Sequence, residues 1–277
     1  MMRDDVRLRT ATVDELGLIL DWAAAEGWNP GLGDALPFHA TDPDGFFLAE
    51  AEGRPVAAIS VVNHDERHAF LGLYLCLPDW RGRGIGLALW HHALAHAGNR
   101  TVGLDGVAAQ QANYAKSGFV LQGATTRLAG RLAGATDRAI RPVGPGDVDA
   151  LVSLDAASGG VKRARFLSRW LEPETGRQSV MLAEGGGFAT IRACRSGAKI
   201  GPVIAPDADL AMRLVRAALA ALPCDTVAID LPATSAALRD RLQELDFAPV
   251  FQTARMSLGP PPQGDGRVQA IATMELG

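Results

Sequence analysis

The chain repeats itself, and that repetition limits its possible folds more than any other feature. Arg9 and Asp14 have counterparts in Arg141 and Asp147, Leu48-Ala49-Glu50 in Leu182-Ala183-Glu184, and Val102-Gly103-Leu104-Asp105 in Val227-Ala228-Ile229-Asp230. Phe119, eight residues before Arg127, matches Phe247, eight before Arg255. The offset stays between 125 and 134 residues across the whole run. A near-constant offset over that length marks an internal duplication. With 277 residues the chain is long for one domain and comfortable for two. The copies are placed at residues 1–130 and 138–277, joined by the small-residue linker Arg131–Asp137.

Inside the first copy, Leu71–Gly86 reads as a strand, a glycine-and-arginine loop and the start of a helix. Glycines let a backbone approach an anion, loop N–H groups point at it, and a helix N-terminus adds positive potential. The loop residues are Arg81, Gly82, Arg83, Gly84, Ile85 and Gly86. A bare glycine turn would have no need of the two arginines. The spacing is G-x-G-x-G rather than the dinucleotide G-x-G-x-x-G, and no G-x-x-x-x-G-K-[ST] occurs anywhere.

R-x-x-G-x-G after a strand that ends in Pro78, then a helix, then Tyr114-Ala-Lys-Ser-Gly118-Phe119, resembles the GCN5-related N-acetyltransferases (GNAT). The run GLDGVAAQQANYAKSGF is similar to a subgroup with a second, divergent acetyltransferase-like domain. The resemblance implies an α/β fold with mixed sheets and two tandem GNAT-like acyl-CoA N-acyltransferase domains. It implies acetyl-CoA as co-substrate, its pyrophosphate on the loop, and a backbone N–H from Cys76 or Leu77 toward the acetyl oxygen. Tyr114 stands where the family tyrosine protonates the departing sulfur. Residues after the first helix line the acceptor site in this family, so Trp28, Asn29 and Phe38 are candidate acceptor contacts. Trp28 is equally compatible with core packing.

Thioester-to-amine transfer also needs a route for the ammonium proton. Asp105 and Tyr74 are the nearest candidate groups, although Asp230 repeats Asp105 in a copy that lacks the loop, and water-mediated deprotonation needs no base. Cys76 has no histidine to activate it as a covalent nucleophile. His64 and His68 flank a charged turn with no third ligand evident, so no metal is expected.

The second copy is shorter by nine residues between Glu184 and Asp230, and the counterpart of the loop reads Gly201-Pro-Val-Ile-Ala-Pro-Asp207-Ala-Asp209. Two carboxylates there would repel an anion. This copy is expected not to bind coenzyme A and to serve the acceptor, through polar residues such as Asp155, Arg163, Arg192 and Asp230. Val268–Leu276 is apolar enough for a last strand.

A net charge of -4 leaves no basic excess for a general nucleic-acid binder. Three widely spaced cysteines suit a reducing cytoplasm, the opening MMRDDVRLRT has no apolar core for a secretion signal, and no run suggests a membrane span. The reading is therefore a cytoplasmic enzyme, monomer or homodimer, that transfers acetyl to the primary amine of a small molecule. A non-catalytic sensor of acetyl-CoA or a metabolite is the alternative.

Overall fold

The computed structural model describes residues 6–277. Residues 1–5, which open the stretch that lacks an apolar secretion core, lie outside the described residues. The first copy runs β1 (Val6–Thr10), α1 (Val13–Ala25), α2 (Ala35–Thr41), β2 (Phe46–Ala51), β3 (Arg54–Asn63), β4 (His68–Cys76), α3 (Ile85–Leu94), β5 (Thr101–Gly106), α4 (Gln111–Lys116) and β6 (Val120–Gly130). The second repeats it: β7 (Ile140–Pro142), α5 (Val148–Gly159), α6 (Ala164–Trp170), β8 (Arg177–Leu182), β9 (Phe188–Ala193), β10 (Ala198–Ile204), α7 (Ala208–Ala221), β11 (Val227–Pro232), α8 (Ala236–Gln243) and β12 (Ala248–Leu258). A short β13 (Val268–Ala270) has no counterpart in the first copy.

Local sequence explains the starts of the first helices. Thr12 and Glu15 cap each other's amides at α1 as a capping box. Arg9 then clamps Glu15 at 2.6 Å and Glu50 at 2.8 Å. In the second copy Arg141 holds Asp147 at 2.7 Å. The structural partner of Asp147 is thus Glu15, which corrects the sequence alignment on Asp14. The spacing of six from arginine to carboxylate is the same in both copies.

All strands share one sheet, in the order β1-β2-β3-β4-β5-β12-β6-β11-β10-β9-β8-β7, with β13 on β10. The sixth strand of each copy has crossed over: β12 lies against β5, and β6 against β11. In the centre β6 and β12 pair antiparallel with each other. The segments 1–130 and 138–277 are therefore copies in sequence, while each completes its sheet with a strand of the other. The helical layer is shared as well. One apolar cluster lies under α3 and another under α7, and a third is built by both copies around Leu16, Ile19, Phe38, Phe166, Trp170 and Phe188. Phe38 of α2 stacks on Trp170 of α6 at 6.4 Å.

One expected element comes out differently, and two helices appear beyond those expected. Of Val268–Leu276 only Val268–Ala270 is strand, and residues 271–276 leave the sheet while staying buried. The helices α2 and α6, each seven residues, were not anticipated. Among the described residues, no helix is long and apolar enough to cross a membrane.

Candidate functional site

The site begins where two parallel strands part. β4 and β5 pair only from His68–Leu71 against Thr101–Leu104. Beyond that, β4 carries a bulge: its register with β3 shifts opposite Ala58–Ser60, and Leu73 takes a left-handed φ of 47°. A bulge kinks its strand and re-aims the residues beyond it. The Leu77 N–H donates to Val56 O at 2.9 Å. By the alternation of an antiparallel ladder the Cys76 N–H then faces away from β3, into the gap. Of the two residues named from the sequence for an oxygen-facing amide, Cys76 is free for that task and Leu77 is engaged with β3.

Just past the gap lies the glycine loop. Gly82 and Gly84 have φ of 71° and 80°, conformations that side chains rarely adopt, and Gly84 is the N-cap of α3 with no side-chain cap. The first intrahelical bond is Ala88 N–H to Gly84 O. The amides of Ile85, Gly86 and Leu87 are therefore orphan donors pointing out of the helix end. That cradle suits a pyrophosphate. The arginines do something other than the sequence suggests. Arg81 donates to Cys76 O at 2.8 Å and pairs with Glu26 at 2.7 Å, tying the loop to the end of α1. Arg83 lies over the Trp80 ring at 4.7 Å.

Three aromatic rings stand beyond the loop. Trp90 stacks on Tyr114 at 5.5 Å and meets Tyr74 at 5.5 Å on a tilt. Tyr114 also lies against Gly106, where a Cβ would come within 2.8 Å of its ring. Among the described residues its hydroxyl has no hydrogen-bond partner, and it lines the cavity at the gap. Burial pushes the phenol up, with Tyr74 as a smaller cause, so it stays protonated near neutrality and can give a proton. Tyr74 is likewise raised by burial, and its hydroxyl sits against Gly86. Burial also raises the Cys76 thiol against the pull of Arg81, which disfavours the thiolate that nucleophilic attack would need.

This cavity holds about 60 Å³. Its walls come from both copies: Trp28, Tyr74, Asp105 and Tyr114 from the first, Phe251 and Thr253 from β12, and Met274 and Glu275 from the segment after β13. Asp105 is at the wall with its side chain wholly buried, and four hydrogen bonds reach its carboxylate. Arg255 grips it at 2.6 and 3.2 Å, and the Thr125 and Thr253 hydroxyls donate at 3.0 and 3.1 Å. Three of these bonds fall on Oδ1 and one on Oδ2, so the carboxylate is held by Arg255 across the exchanged strand while it lines the cavity as a proposed base.

Asp230 is the mirror case. Arg127 of β6 binds it bidentately at 2.6 and 2.9 Å, and also donates to Trp28 O at 2.8 Å. Asp230 does not line the cavity; its partner Arg127 does. Arg192 is buried, 3.2 Å from Asp34, donates to Ala272 O and lies over Trp170 at 4.8 Å. Neither Asp230 nor Arg192 is positioned as an acceptor contact in the sense the sequence suggests. Asp155 and Arg163 pair with each other at 2.7 Å. Asn29 exchanges hydrogen bonds with the backbone of Ser196. Phe38 is wholly in the shared core. Trp28 alone of the three acceptor candidates reaches the cavity wall. Glu275, Phe251 and Met274 were missed by the sequence reading, since nothing local marks them. His64 and His68 hold no cluster: His68 pairs with Asp65 at 3.2 Å, and among the described residues no group of three His, Cys, Asp or Glu gathers as a metal site.

In the second copy the same gap opens and is filled. β10 pairs with β11 only through Ala198–Ile200, and β13 then runs antiparallel along Val203–Ile204. The Asp207 carboxylate accepts from Leu210 N–H at 2.8 Å and so caps α7, where α3 is open.

Comparison with known proteins agrees with this geometry. The Acetyltransferase (GNAT) family model matches residues 14–119, and the Acetyltransferase (GNAT) domain model matches residues 151–269. A holothin acyltransferase of Pseudoalteromonas sp. (strain SANK 73390) is 36% identical over 97% of this chain and 94% of its own. Among solved structures, a putative acetyltransferase from Pyrococcus horikoshii superposes with a TM-score of 0.84 at 20% identity, covering 100% of this chain and 98% of that one. A tandem GNAT protein from the clavulanic acid biosynthesis pathway gives 0.62 at 18% identity, over 92% and 99%.

Proposed function

The chain belongs to the GNAT acetyltransferase family, and from that premise we propose that it transfers the acetyl group of acetyl-CoA to the primary amine of a small molecule by direct attack. One observation carries the reading: the gap between β4 and β5 lies between an uncapped helix N-terminus and the unpartnered hydroxyl of Tyr114. The amides of Ile85, Gly86 and Leu87 would hold the pyrophosphate. The Cys76 N–H would stabilise the thioester oxygen as it becomes negative, the largest single contribution in acyl transfer. Tyr114 would protonate the thiolate as the C–S bond breaks.

The acceptor's reacting end must be small. A water needs about 10–15 Å³ of such volume, so 60 Å³ has room for roughly an amino group beside an acetyl group. Trp28, Phe251 and Met274 form apolar walls that favour a flat or apolar carbon frame next to the amine. The relative from Pseudoalteromonas is named for acyl transfer to holothin, which makes holothin one candidate to assay. Residues 138–277 supply walls and the β12 strand to this site rather than a second cofactor site.

The test is release of free coenzyme A thiol from acetyl-CoA with a panel of small primary amines and holothin, beside calorimetry of acetyl-CoA alone. Expected are one acetyl-CoA per chain and thiol release that depends on the acceptor. Two equivalent sites would overturn the assignment to the first copy. Tight binding with no turnover across a broad panel would favour a sensor instead.

A further inference from the structure

The segment after β13 is held as firmly as a core strand, though it has no regular structure. Ile271 N–H donates to Asp230 O, and Arg192 donates to Ala272 O. The Thr273 hydroxyl accepts from the amides of Glu275 and Leu276 at 3.2 and 2.9 Å, closing a turn. His64 then donates through Nε2 to Leu276 O at 2.8 Å, and Arg163 donates to Gly277 O. These anchors come from both copies. The turn sets Glu275 O against Gly72, where a Cβ would come within 2.0 Å. Only glycine fits there. The place is one residue beyond the last residue of β4 that pairs with β5, at the mouth of the gap.

Glu275 is 3% exposed and lines the cavity with Tyr114, and its Oε2 is buried with no hydrogen-bond partner among the described residues. A carboxylate oxygen in that state is costly unless something pairs with it. Of the nearby cations, Arg127 pairs with Asp230 and Arg192 with Asp34, while Lys199 donates to Trp28 O at 2.9 Å and feels the Glu275 carboxylate without a hydrogen bond to it. Asp105, the other carboxylate at the wall, is gripped by Arg255.

We propose that Glu275 binds the ammonium of the acceptor and takes its proton before attack. This rests on the acyl-transfer reading above. The ammonium gives one proton to Glu275. The freed lone pair forms the C–N bond at the thioester carbon, and collapse breaks the C–S bond. Tyr114 gives its proton to the thiolate, and the nitrogen loses its second proton in becoming an amide, which restores the tyrosine through solvent. One proton is released overall, when Glu275 returns its own to water.

Glu275→Gln keeps the size and the turn while removing the charge. Benzylamine, phenethylamine and holothin serve as probes, with acetyl-CoA binding and the melting temperature measured on the same samples. Expected is a ~10²–10⁴-fold loss of kcat/KM for the amine, the range of general acid–base groups, with acetyl-CoA affinity unchanged. The fall of wild-type kcat/KM on acidification should vanish in this variant, and Glu275→Asp should recover part of the rate. Those last two readouts would not move if Glu275 only balanced the charge of Lys199, Arg127 and Arg192. A Glu275→Gln enzyme with wild-type kcat/KM and pH profile overturns the proposal. A wild type inactive with all three probes, yet binding acetyl-CoA, overturns the acceptor chemistry itself and Glu275's role with it.

Discussion

Asp230→Asn should damage stability rather than acceptor binding, and by more than its mirror substitution Asp105→Asn. The side chains of Arg127 and Asp230 are 6% and 5% exposed, so Asn at 230 removes the carboxylate bound to a buried guanidinium, which keeps neutral acceptors such as Trp28 O. Breaking a buried pair on one side costs about 3–5 kcal/mol. At about 2–4 °C per kcal/mol for a chain of this class, the melting temperature should fall by roughly 6–20 °C. Arg255 is 30% exposed, so after Asp105→Asn its charge can reach water, and the loss should be about half as large or less. Scanning calorimetry of both variants decides this. The double variant Arg127→Met/Asp230→Met leaves no unpaired charge and should melt above the single Asp230→Asn. Equal shifts at the two sites, or a double variant lower than Asp230→Asn, would refute the reasoning from burial.

Four further outcomes are expected from the geometry. Gly84→Ala puts a side chain at φ 80°, at a cost of about 1–2 kcal/mol, and should weaken acetyl-CoA binding by roughly 5–30-fold in calorimetry. Tyr114→Phe should lower kcat by ~10²–10⁴-fold with acetyl-CoA affinity nearly unchanged; a full rate, with chemistry limiting, would return the ring to a packing role. Residues 1–134 expressed alone should not yield a cooperatively melting domain, because β6 loses both its neighbours; coexpression with 135–277 should restore melting and activity. Burial, with Arg163 adding to it, pulls His64 down to about 4, so the folded state binds fewer protons than the unfolded between about 6.5 and 4. Stability should then fall as pH is lowered through that window, and His64→Gln should flatten the slope in melting curves.

The duplication and the glycine loop were legible because each depends on local chemistry repeated in order. Glycines at positive φ before an apolar helix announce an open helix end in any context. Strand exchange was not legible, and the reason is the duplication itself. Phe119 to Arg127 and Phe247 to Arg255 carry the same pattern, so either sixth strand satisfies either sheet, and Asp105 and Asp230 accept an arginine from either copy. Sequence alone could match the pairs without saying who holds whom. The helices α2 and α6 were missed because seven residues are too few to show a helical period. Glu275 was hidden for a different cause. It comes after an apolar run that reads as strand, and its meaning comes only from a turn anchored by residues far away in the chain.

The same symmetry sets the two gaps side by side and shows how they differ. Gly72 and Gly201 occupy equivalent places, each one step past the last parallel pair, and each has a backbone carbonyl of the last segment pressed on it, Glu275 O and Ile271 O. At the first gap, among the described residues, nothing pairs with the far end of β4 on the β5 side, and the helix beyond has no side-chain cap. At the second, β13 lies along β10 and Asp207 covers the helix end, so an acyl carrier would have to displace a strand and a carboxylate together. By the repeat, Trp28 and Phe251 at the first cavity correspond to Val161 and Gly123, which line a separate cavity of about 400 Å³ walled by residues of both copies, including His64, Phe70, Arg163 and Arg255. The segment that fills the second gap continues to the first, where it delivers Met274 and Glu275 to the cavity wall. Each copy is incomplete without the other, in its sheet through the exchanged strands and at the cavity through that segment.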